Sequence, residues 1–217
     1  FTLGILQIIL GLSMIVPILA QFFYNQIDSG FISSGVITII FGVLFFLSNL
    51  DHNKKLTLPQ AFLLTALSWL SIAIFGSLPF IFSEIELNIT DAFFESMSGI
   101  TTTGSTIITN LEETSKAILL WRAMLQWLGG IGIIVMAITL MPIMNIGGMQ
   151  LFVISTSNAP EKILPKSKEI SIRLILVYVT LTFMCAVFYK IFGMGFFDSI
   201  VHSMTTIATG GFSNYNE

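Results

Sequence analysis

The sequence predicts an all-α integral membrane protein, in which two N-terminal transmembrane helices precede a repeated unit of helix, re-entrant loop and helix. Three observations support this class. Hydrophobic residues make up 54% of the 217 residues, charged residues make up 10%, and the mean hydropathy is +0.90, whereas soluble domains carry about 25% charged residues. Five apolar segments are long enough to cross a bilayer. One hydroxyl-rich motif occurs twice.

The predicted spans follow one another in chain order. At 1.5 Å of rise per residue, a helix needs about 20 residues to cross a hydrocarbon core of about 30 Å. Five segments approach or exceed this length: 1–24, 31–50, 60–82, 116–144 and 170–193. Pro17 lies inside the first of them, where its missing backbone donor is expected to kink the helix.

Two shorter apolar segments coincide with the starts of the hydroxyl-rich motifs. Residues 91–100 and 198–207 would each reach about 15 Å as helices, which is half of the membrane. Both are therefore predicted to be re-entrant half-helices. The chain then divides into an N-terminal helix pair (1–55), a first repeat (56–148), a cytoplasmic connection (149–169) and a truncated second repeat (170–217).

Charges of opposite sign collect on alternate sides of the predicted array, and the net charge of −3 is too small and dispersed to indicate a nucleic-acid partner. The second and fourth connections carry basic residues: Lys54, Lys55, Lys162, Lys166, Lys168 and Arg173. The opposite side carries acidic residues: Asp28, Glu84, Glu86, Glu112 and Glu113. Because basic loops stay in the cytoplasm, we expect a multi-pass inner-membrane protein whose re-entrant loops face outward.

The hydroxyl-rich motif aligns with its second copy without gaps. DAFFESMSGITTTGS at 91–105 matches DSIVHSMTTIATGGF at 198–212, a shift of 107 positions. The identical pairs are Asp91/Asp198, Ser96/Ser203, Met97/Met204, Ile100/Ile207, Thr102/Thr209 and Gly104/Gly211. Each copy follows one apolar span, so the repeating unit is span, half-helix, Thr/Gly loop and span.

The repeated loop has the chemistry of a cation site. Irregular backbone at membrane depth is tolerated only where it lines a polar cavity or is buried in protein. Asp91 and Asp198 complement the positive end of each half-helix dipole, which leaves the negative end beside the loop. Loop carbonyls can replace the hydration shell of a cation, and glycine permits the φ values that turn them inward. Oxygen ligands without a charged side chain suit an alkali cation.

Other interpretations remain. A Ser/Thr/Gly-rich interface for close helix packing explains one copy more easily than two. A cation-coupled (sodium or proton) secondary transporter is the alternative function, although such a site usually contains an ionisable group and these loops contain none. An enzyme is not expected, since Asp51, His52, His202 and Cys185 form no set of nucleophile and base.

Two charged residues near the first loop are candidate supports for it. Glu95 lies inside the first half-helix, where an ionisable group is costly unless it is paired. We expect it to pair with Arg122 and brace the loop from behind; the alternative is that both reach solvent. His202 takes the position of Glu95 in the second copy, so the brace cannot be repeated there. The glycines of WLGGIGII, at 127–134, favour close helix packing over a nucleotide site.

Five motifs resemble those of the TrkH/TrkG/KtrB/HKT superfamily of potassium transporters, the TrkH type most closely. They are LPFIFSE, TDAFFESMSGITTTGST, WRAMLQWLGGIGIIV, MPIMNIGGMQLF and TIATGGFSNYN, and they cover most of residues 78–152 and 198–216. The resemblance implies four helix–pore-loop–helix repeats of potassium-channel type around one pore with pseudo-fourfold symmetry. This chain would be the N-terminal half of such a protein.

The resemblance also implies a function and partners. Backbone carbonyls of the Thr/Gly loops would form a selectivity filter that passes potassium, the substrate, across the cytoplasmic membrane without a covalently bound cofactor. The filter residues would be Thr101, Thr102, Thr103, Gly104, Ala208, Thr209, Gly210 and Gly211. A homodimer in the lipid membrane and a cytoplasmic nucleotide-binding subunit of TrkA type are the implied partners. The loops lack the TVGYG sequence of tetrameric potassium channels, so the degree of selectivity is left open.

Overall fold

The computed structural model describes residues 1–26, 28–48, 57–144 and 163–216. Within these ranges every regular element is a helix. Five segments are long and apolar enough to span a membrane: Thr2–Tyr24, Gly30–Leu47, Pro59–Phe82, Lys116–Ile134 and Glu169–Ile191. The prediction of an all-α protein with five candidate membrane spans is therefore confirmed.

The first span consists of two helices, α1 (Thr2–Ser13) and α2 (Ile15–Tyr24). Met14 separates them, three residues before Pro17. A proline cannot donate to the carbonyl four residues earlier, which here belongs to Ser13. The helix is thus interrupted in the turn that Pro17 affects.

The second span, α3 (Gly30–Leu47), packs against α1 through glycines. A Cβ added to Gly4 would meet the backbone of Phe46 at 2.5 Å, and one added to Gly42 would lie 2.9 Å from the backbone nitrogen of Ile8. Small residues let helix backbones approach closely in a membrane, where apolar side chains gain little by leaving lipid. The N-terminal helices therefore form a close antiparallel pair.

The third span contains α4 (Leu58–Gly76) and the short α5 (Leu78–Phe82). Oε1 of Gln60 accepts a hydrogen bond from the backbone N–H of Thr57 at 3.0 Å, which is one half of a capping box. This bond starts the helix two residues before the predicted span. Pro79 lies in the first turn of α5, where its missing donor removes no helical hydrogen bond.

The first half-helix is α6 (Ile89–Ile100), whose 12 residues reach about 18 Å. Oδ1 of Asn88 accepts from the backbone N–H of Asp91 at 2.9 Å, so the helix begins two residues before the predicted start. Asp91 lies in the first turn, where its charge complements the dipole. The second half-helix, α9 (Phe196–Ile207), also has 12 residues and carries Asp198 in its first turn.

In the described part of the chain, two long helices lie between the half-helices: α7 (Lys116–Met144) and α8 (Ile163–Ile191). α8 begins inside the connection predicted at 149–169, so the last part of that connection is helical. Pro165 lies in its first turn, where proline is compatible with a helix.

α7 lies at the centre of the bundle and contacts both half-helices. Of its membrane-spanning window 67% is buried, compared with 11% of the window of α8. Trp121 is fully buried, and its Nε1 donates to the carbonyl oxygen of Gly76 at 2.9 Å, which ties α7 to the end of α4. The residues of α7 that follow Trp121 are therefore held in a fixed position.

Some predicted features lie outside the described residues: Asp51, His52, Lys54, Lys55, Lys162 and residues 145–152 of the MPIMNIGGMQLF motif. Of the remaining basic residues, Lys166 and Lys168 lie in the first turns of α8, and Arg173 is exposed on the same helix. The orientation predicted from these charges stays a prediction.

Candidate functional site

The first half-helix ends in a Schellman motif. The N–H of Thr102 donates to the carbonyl of Gly99 at 2.9 Å, and the N–H of Thr103 donates to the carbonyl of Ser98 at 2.9 Å. These two bonds satisfy carbonyls that a helix C-terminus otherwise leaves without partners. The chain therefore leaves α6 abruptly, within two residues.

The second half-helix ends in the same way, 107 positions later. The N–H of Thr209 donates to the carbonyl of Thr206 at 3.0 Å, and the N–H of Gly210 donates to the carbonyl of Thr205 at 3.0 Å. Each donor and each acceptor is the counterpart of one in the first loop. The gap-free alignment of the two motifs thus corresponds to one backbone geometry that occurs twice.

Each loop contains two residues with left-handed φ. The values are 57° at Thr102 and 56° at Thr209, and 80° at Gly104 and 81° at Gly211. Glycine adopts this region readily, whereas a β-branched residue is a genuine outlier there, at a cost of roughly 1–2 kcal/mol. Strained backbone of this kind clusters at functional sites. Its occurrence at the same position in both copies marks the loops as a candidate site.

The two loops touch each other. A Cβ added to Gly104 would overlap the carbonyl oxygen of Gly210. A Cβ added to Gly211, by contrast, would have no neighbour within 4 Å among the residues that the structure describes. The structure therefore brings residues 101–104 and 208–211 side by side. Gly104 lies at the contact, and no other residue could replace it without a shift of the backbone.

The eight loop residues differ in exposure. Ala208 and Gly210 are buried. Three residues are partly buried, namely Thr101, Thr102 and Gly104, and three are exposed, namely Thr103, Thr209 and Gly211. The loops thus have one side packed against protein and one open side. None of the eight carries an ionisable group, so carbonyls and threonine hydroxyls are the oxygen atoms that they offer to a ligand.

The helix α7 packs glycines against the ends of both half-helices. A Cβ added to Gly129 would overlap the carbonyl oxygen of Ile100, the last residue of α6. A Cβ added to Gly130 would lie 3.3 Å from the Cα of Ala208, which follows α9. Of the three glycines in the segment predicted to serve close helix packing, Gly129 and Gly130 therefore do so, and they approach the end of α6 and the first residue of the second loop. Gly132 has more space.

Gln126 lies on the same face of α7. Its side chain is fully buried, and its Oε1 accepts from the backbone N–H of Phe212 at 3.3 Å. A Cβ added to Gly210 would lie 2.6 Å from its Nε2, so the carboxamide contacts the second loop directly. Gln126 was not predicted from the sequence. Its spacing of four from Arg122 and four from Gly130, which places all three on one helix face, is the signal that could have identified it.

Glu95 and Arg122 form a buried ion pair. Nε of Arg122 donates to Oε1 of Glu95 at 2.7 Å, and their side chains are 1% and 0% exposed. The alternative in which both reach solvent is therefore wrong. Glu95 also accepts hydrogen bonds from the hydroxyl of Thr106, at 2.9 Å, and from the backbone N–H of Ile107, at 3.1 Å. Its carboxylate thus holds the chain that leaves the first loop.

Arg122 reaches the second loop from the same position. Its Nη1 donates to the carbonyl oxygen of Ser213 at 3.1 Å, and its guanidinium lies 4.2 Å from the ring centroid of Phe212. Both contacts fall directly after Gly211. The pair of Glu95 and Arg122 therefore connects the segments that follow the two loops, one through each partner.

The second repeat has a different set of contacts at the start of its half-helix. The carboxylate of Asp198 accepts from Nδ2 of Asn214 at 2.7 Å and from the hydroxyl of Tyr215 at 3.1 Å. The ring of His202 stacks on that of Tyr215, with centroids 6.1 Å apart. The hydrogen bond to Asp198 raises the pKa of Tyr215 above its ordinary value. As the sequence predicts, His202 does not reproduce the ion pair that Glu95 makes.

Comparisons with known proteins agree with the motifs. A family model described as "TrkH: Cation transport protein" matches residues 27–217. The Trk system potassium uptake protein TrkH of Escherichia coli (strain K12) is 41% identical over 217 residues, covering 98% of this chain and 45% of that protein. The Trk system potassium uptake protein TrkI of Halomonas elongata is 39% identical over 213 residues, covering 98% of this chain and 43% of that protein.

A solved structure has the same fold. The crystal structure of the potassium transporter TrkH from Vibrio parahaemolyticus matches with a TM-score of 0.86 and 36% identity, over 98% of this chain and 43% of that chain. The chain spans less than half the length of the relatives that it matches. The family model covers most of the chain, and the chain therefore belongs to the TrkH family of cation transport proteins.

Proposed function

We propose that this chain supplies two walls of a potassium selectivity filter in the pore-forming subunit of a Trk-type uptake system. The observation that carries the proposal is the loop geometry that occurs twice. Residues 101–104 and 208–211 each follow a half-helix, each hold a threonine and a glycine at left-handed φ, and lie against each other. A ring of cation ligands requires a backbone geometry that repeats around the ion.

The position of the loops supports a site at membrane depth. Gln126, which contacts the second loop, lies near the middle of the Lys116–Ile134 span. The C-termini of α6 and α9, which carry the negative ends of the helix dipoles, both meet the loops. A cation at the open side of the loops is favoured by these dipoles and by carbonyl oxygens. No carboxylate is needed, and none belongs to the eight loop residues.

The names of the relatives support potassium as the substrate. The E. coli and H. elongata proteins are named as potassium uptake proteins, and the V. parahaemolyticus protein is named as a potassium transporter. The word "system" in the first two names fits an assembly, for which we propose a homodimer and a cytoplasmic nucleotide-binding subunit of TrkA type. In this proposal four repeats surround one pore with pseudo-fourfold symmetry, in the inner membrane and with the pore loops facing outward.

The proposed organisation keeps four parts: a helix pair (1–55), a first repeat (56–148), a cytoplasmic connection (149–169) and the beginning of a second repeat (170–217). Glu95 and Arg122 are filter supports in this organisation. They do not contact the ion, since their hydrogen bonds go to each other and to the segments beyond the loops.

The proposal is tested by ion flux through the complete gene product in liposomes, with potassium and sodium compared under matched gradients. Gly104→Ser and Gly211→Ser are expected to reduce the preference for potassium, because either side chain forces the left-handed backbone to change. Gly132→Ser is the matched control, since among the described residues a Cβ there would meet only Trp69, at 3.8 Å.

The outcomes separate the candidate functions. A lower potassium preference in both loop variants, with the control unchanged, supports the filter. Unchanged preference in folded Gly104→Ser and Gly211→Ser protein contradicts it. Flux that occurs only in the presence of a sodium or proton gradient would favour the coupled transporter instead.

A further inference from the structure

We propose that Gln126 positions the two loops relative to each other and thereby sets the discrimination between potassium and sodium. This inference rests on the proposed filter and adds a residue from outside the Thr/Gly loops. Gln126 does not contact the ion in this proposal; it acts through Gly210 and Phe212.

The carboxamide of Gln126 lies at the point where the loops meet. Its Oε1 accepts from the N–H of Phe212 at 3.3 Å, which fixes the backbone directly after Gly211. Its Nε2 would lie 2.6 Å from a Cβ added to Gly210 and 3.5 Å from one added to Gly104. One amide group therefore contacts the second loop, and a single added carbon at Gly104 would bring the first loop into contact with it as well.

The Nε2 atom of Gln126 has an unused donor. It is buried and makes no hydrogen bond to any residue that the structure describes. Buried side-chain donors are nearly always paired, because a lost hydrogen bond to water is costly. The atoms nearest to this amide belong to the loops, since Nε2 would lie 2.6 Å from a Cβ added to Gly210, and the role of the amide is therefore assigned to the loops.

Gln126 is itself held in place by its helix. Arg122, one turn earlier, is fixed by Glu95, and Gly129, one turn later, is packed against the end of α6. The amide can therefore act as a spacer of constant length between α7 and the loops. Selectivity in a carbonyl site depends on the size of the cavity and on the number and field strength of its dipoles. A small displacement of Gly210 changes these quantities.

The test compares two glutamines. Gln126→Met keeps the length of the side chain and removes both polar atoms, whereas Gln126→Asn keeps the amide and withdraws it by one methylene. Gln7→Met is the matched control. Gln7 is also fully buried and has one bonded amide atom, Nε2 to Ser71 at 2.6 Å, and one without a partner in the described residues, Oε1. It lies on α1, which packs mainly against α3 and α4.

The measurement is the ratio of potassium flux to sodium flux through the complete protein in liposomes. Each flux is normalised to the amount of folded protein. Both Gln126 variants are expected to lower the potassium-to-sodium ratio about tenfold. A tenfold change corresponds to ~1.4 kcal/mol, which is the size of one buried hydrogen bond. Gln7→Met is expected to leave the ratio unchanged, whatever it does to stability.

Three results would overturn the inference. An unchanged ratio in folded Gln126→Asn protein removes the positioning role, and so does an unchanged ratio in folded Gln126→Met protein. An equal loss in Gln7→Met shows that any buried glutamine in the bundle has the same effect. Gly104→Ser distinguishes this failure from failure of the filter itself: if Gly104→Ser lowers the ratio while the Gln126 variants do not, the filter stands without Gln126.

Discussion

The two half-helix repeats have nearly the same loop backbone but different supports. In both, a threonine at φ near 57° follows the half-helix and a glycine at φ near 80° follows two residues later. In the first repeat the chain beyond the loop is held by Glu95, which is fully buried. In the second it is held by the partly buried Asp198, which binds the buried Asn214 and also Tyr215, a residue that is 49% exposed.

This difference shows that loop conformation and loop support are separate properties. The conformation follows from the end of the half-helix, since the same hydrogen bonds occur in both copies with unlike neighbours. The support is not duplicated. Arg122 belongs to the helix after the first loop but also binds the carbonyl of Ser213 beyond the second. The second repeat therefore depends on the first, and variants should affect the two unequally.

The largest effect is expected from breaking the buried ion pair. Glu95→Gln leaves the guanidinium of Arg122 buried without its counter-charge, and Arg122→Met leaves the carboxylate in the same state. Removal of one partner of a buried pair costs about 3–5 kcal/mol. Thermal unfolding of the purified protein in detergent should show a large drop in Tm for either variant.

The double variant Glu95→Gln/Arg122→Met is the control for this prediction. Because no uncompensated charge remains, it should be less destabilised than the sum of the single variants. A Glu95→Gln protein with the wild-type Tm would show that the ion pair does not stabilise the fold.

An intermediate effect is expected at the equivalent glycines, and it should differ between the repeats. Gly104→Ala combines strain from left-handed φ, roughly 1–2 kcal/mol, with overlap against Gly210, typically ~1–3 kcal/mol more. Gly211→Ala has the same strain, and its Cβ would meet no other residue that the structure describes. The measurement is the difference in Tm between the two variants. A Gly104→Ala protein destabilised by no more than the ~1–2 kcal/mol of strain would argue against the close contact of the loops.

The smallest effect is expected in the surface support of the second repeat. Tyr215→Phe removes one exposed hydrogen bond to Asp198 and should change stability by about 0.5 kcal/mol or less. The pKa of Tyr215 is raised from its ordinary value of 10.0, mainly by this hydrogen bond. Its contribution is therefore present below pH 10 and is lost as the pH rises through the raised pKa.

The corresponding measurement is the difference in Tm between wild type and Tyr215→Phe as a function of pH. The difference should be constant between about pH 6 and pH 9 and should disappear at higher pH. A Tm loss as large as that of Glu95→Gln would remove the contrast between a buried and a surface support.

Much of the fold could be predicted from local sequence. Spans of about 20 apolar residues and half-length segments have a length set by the bilayer, so their number and order could be counted. Pro17 predicted the interruption near Met14 because proline affects the preceding turn. Helix starts were less accurate. The caps at Thr57 and Asn88 each extend a helix by two residues, and these depend on side-chain hydrogen bonds that hydropathy does not detect.

The candidate site was only partly predictable. The repeat identified both loops, and a buried charge that needs a partner identified the pair of Glu95 and Arg122. Gln126 was missed because a glutamine in an apolar helix has no pattern of its own; its importance comes from Gly210 and Phe212, which lie more than 80 positions away in the sequence.

The sequence by itself determined what each repeat would look like: a half-helix begun near an aspartate and ended at a threonine and a glycine. These are short-range properties of the backbone, so both copies adopt them independently. Only the tertiary structure decided how the copies are joined. The approach of Gly104 to Gly210, the reach of Arg122 to Ser213 and the place of Gln126 between the loops arise from packing around α7. A sequence pattern within one segment does not determine how close that segment comes to a distant one.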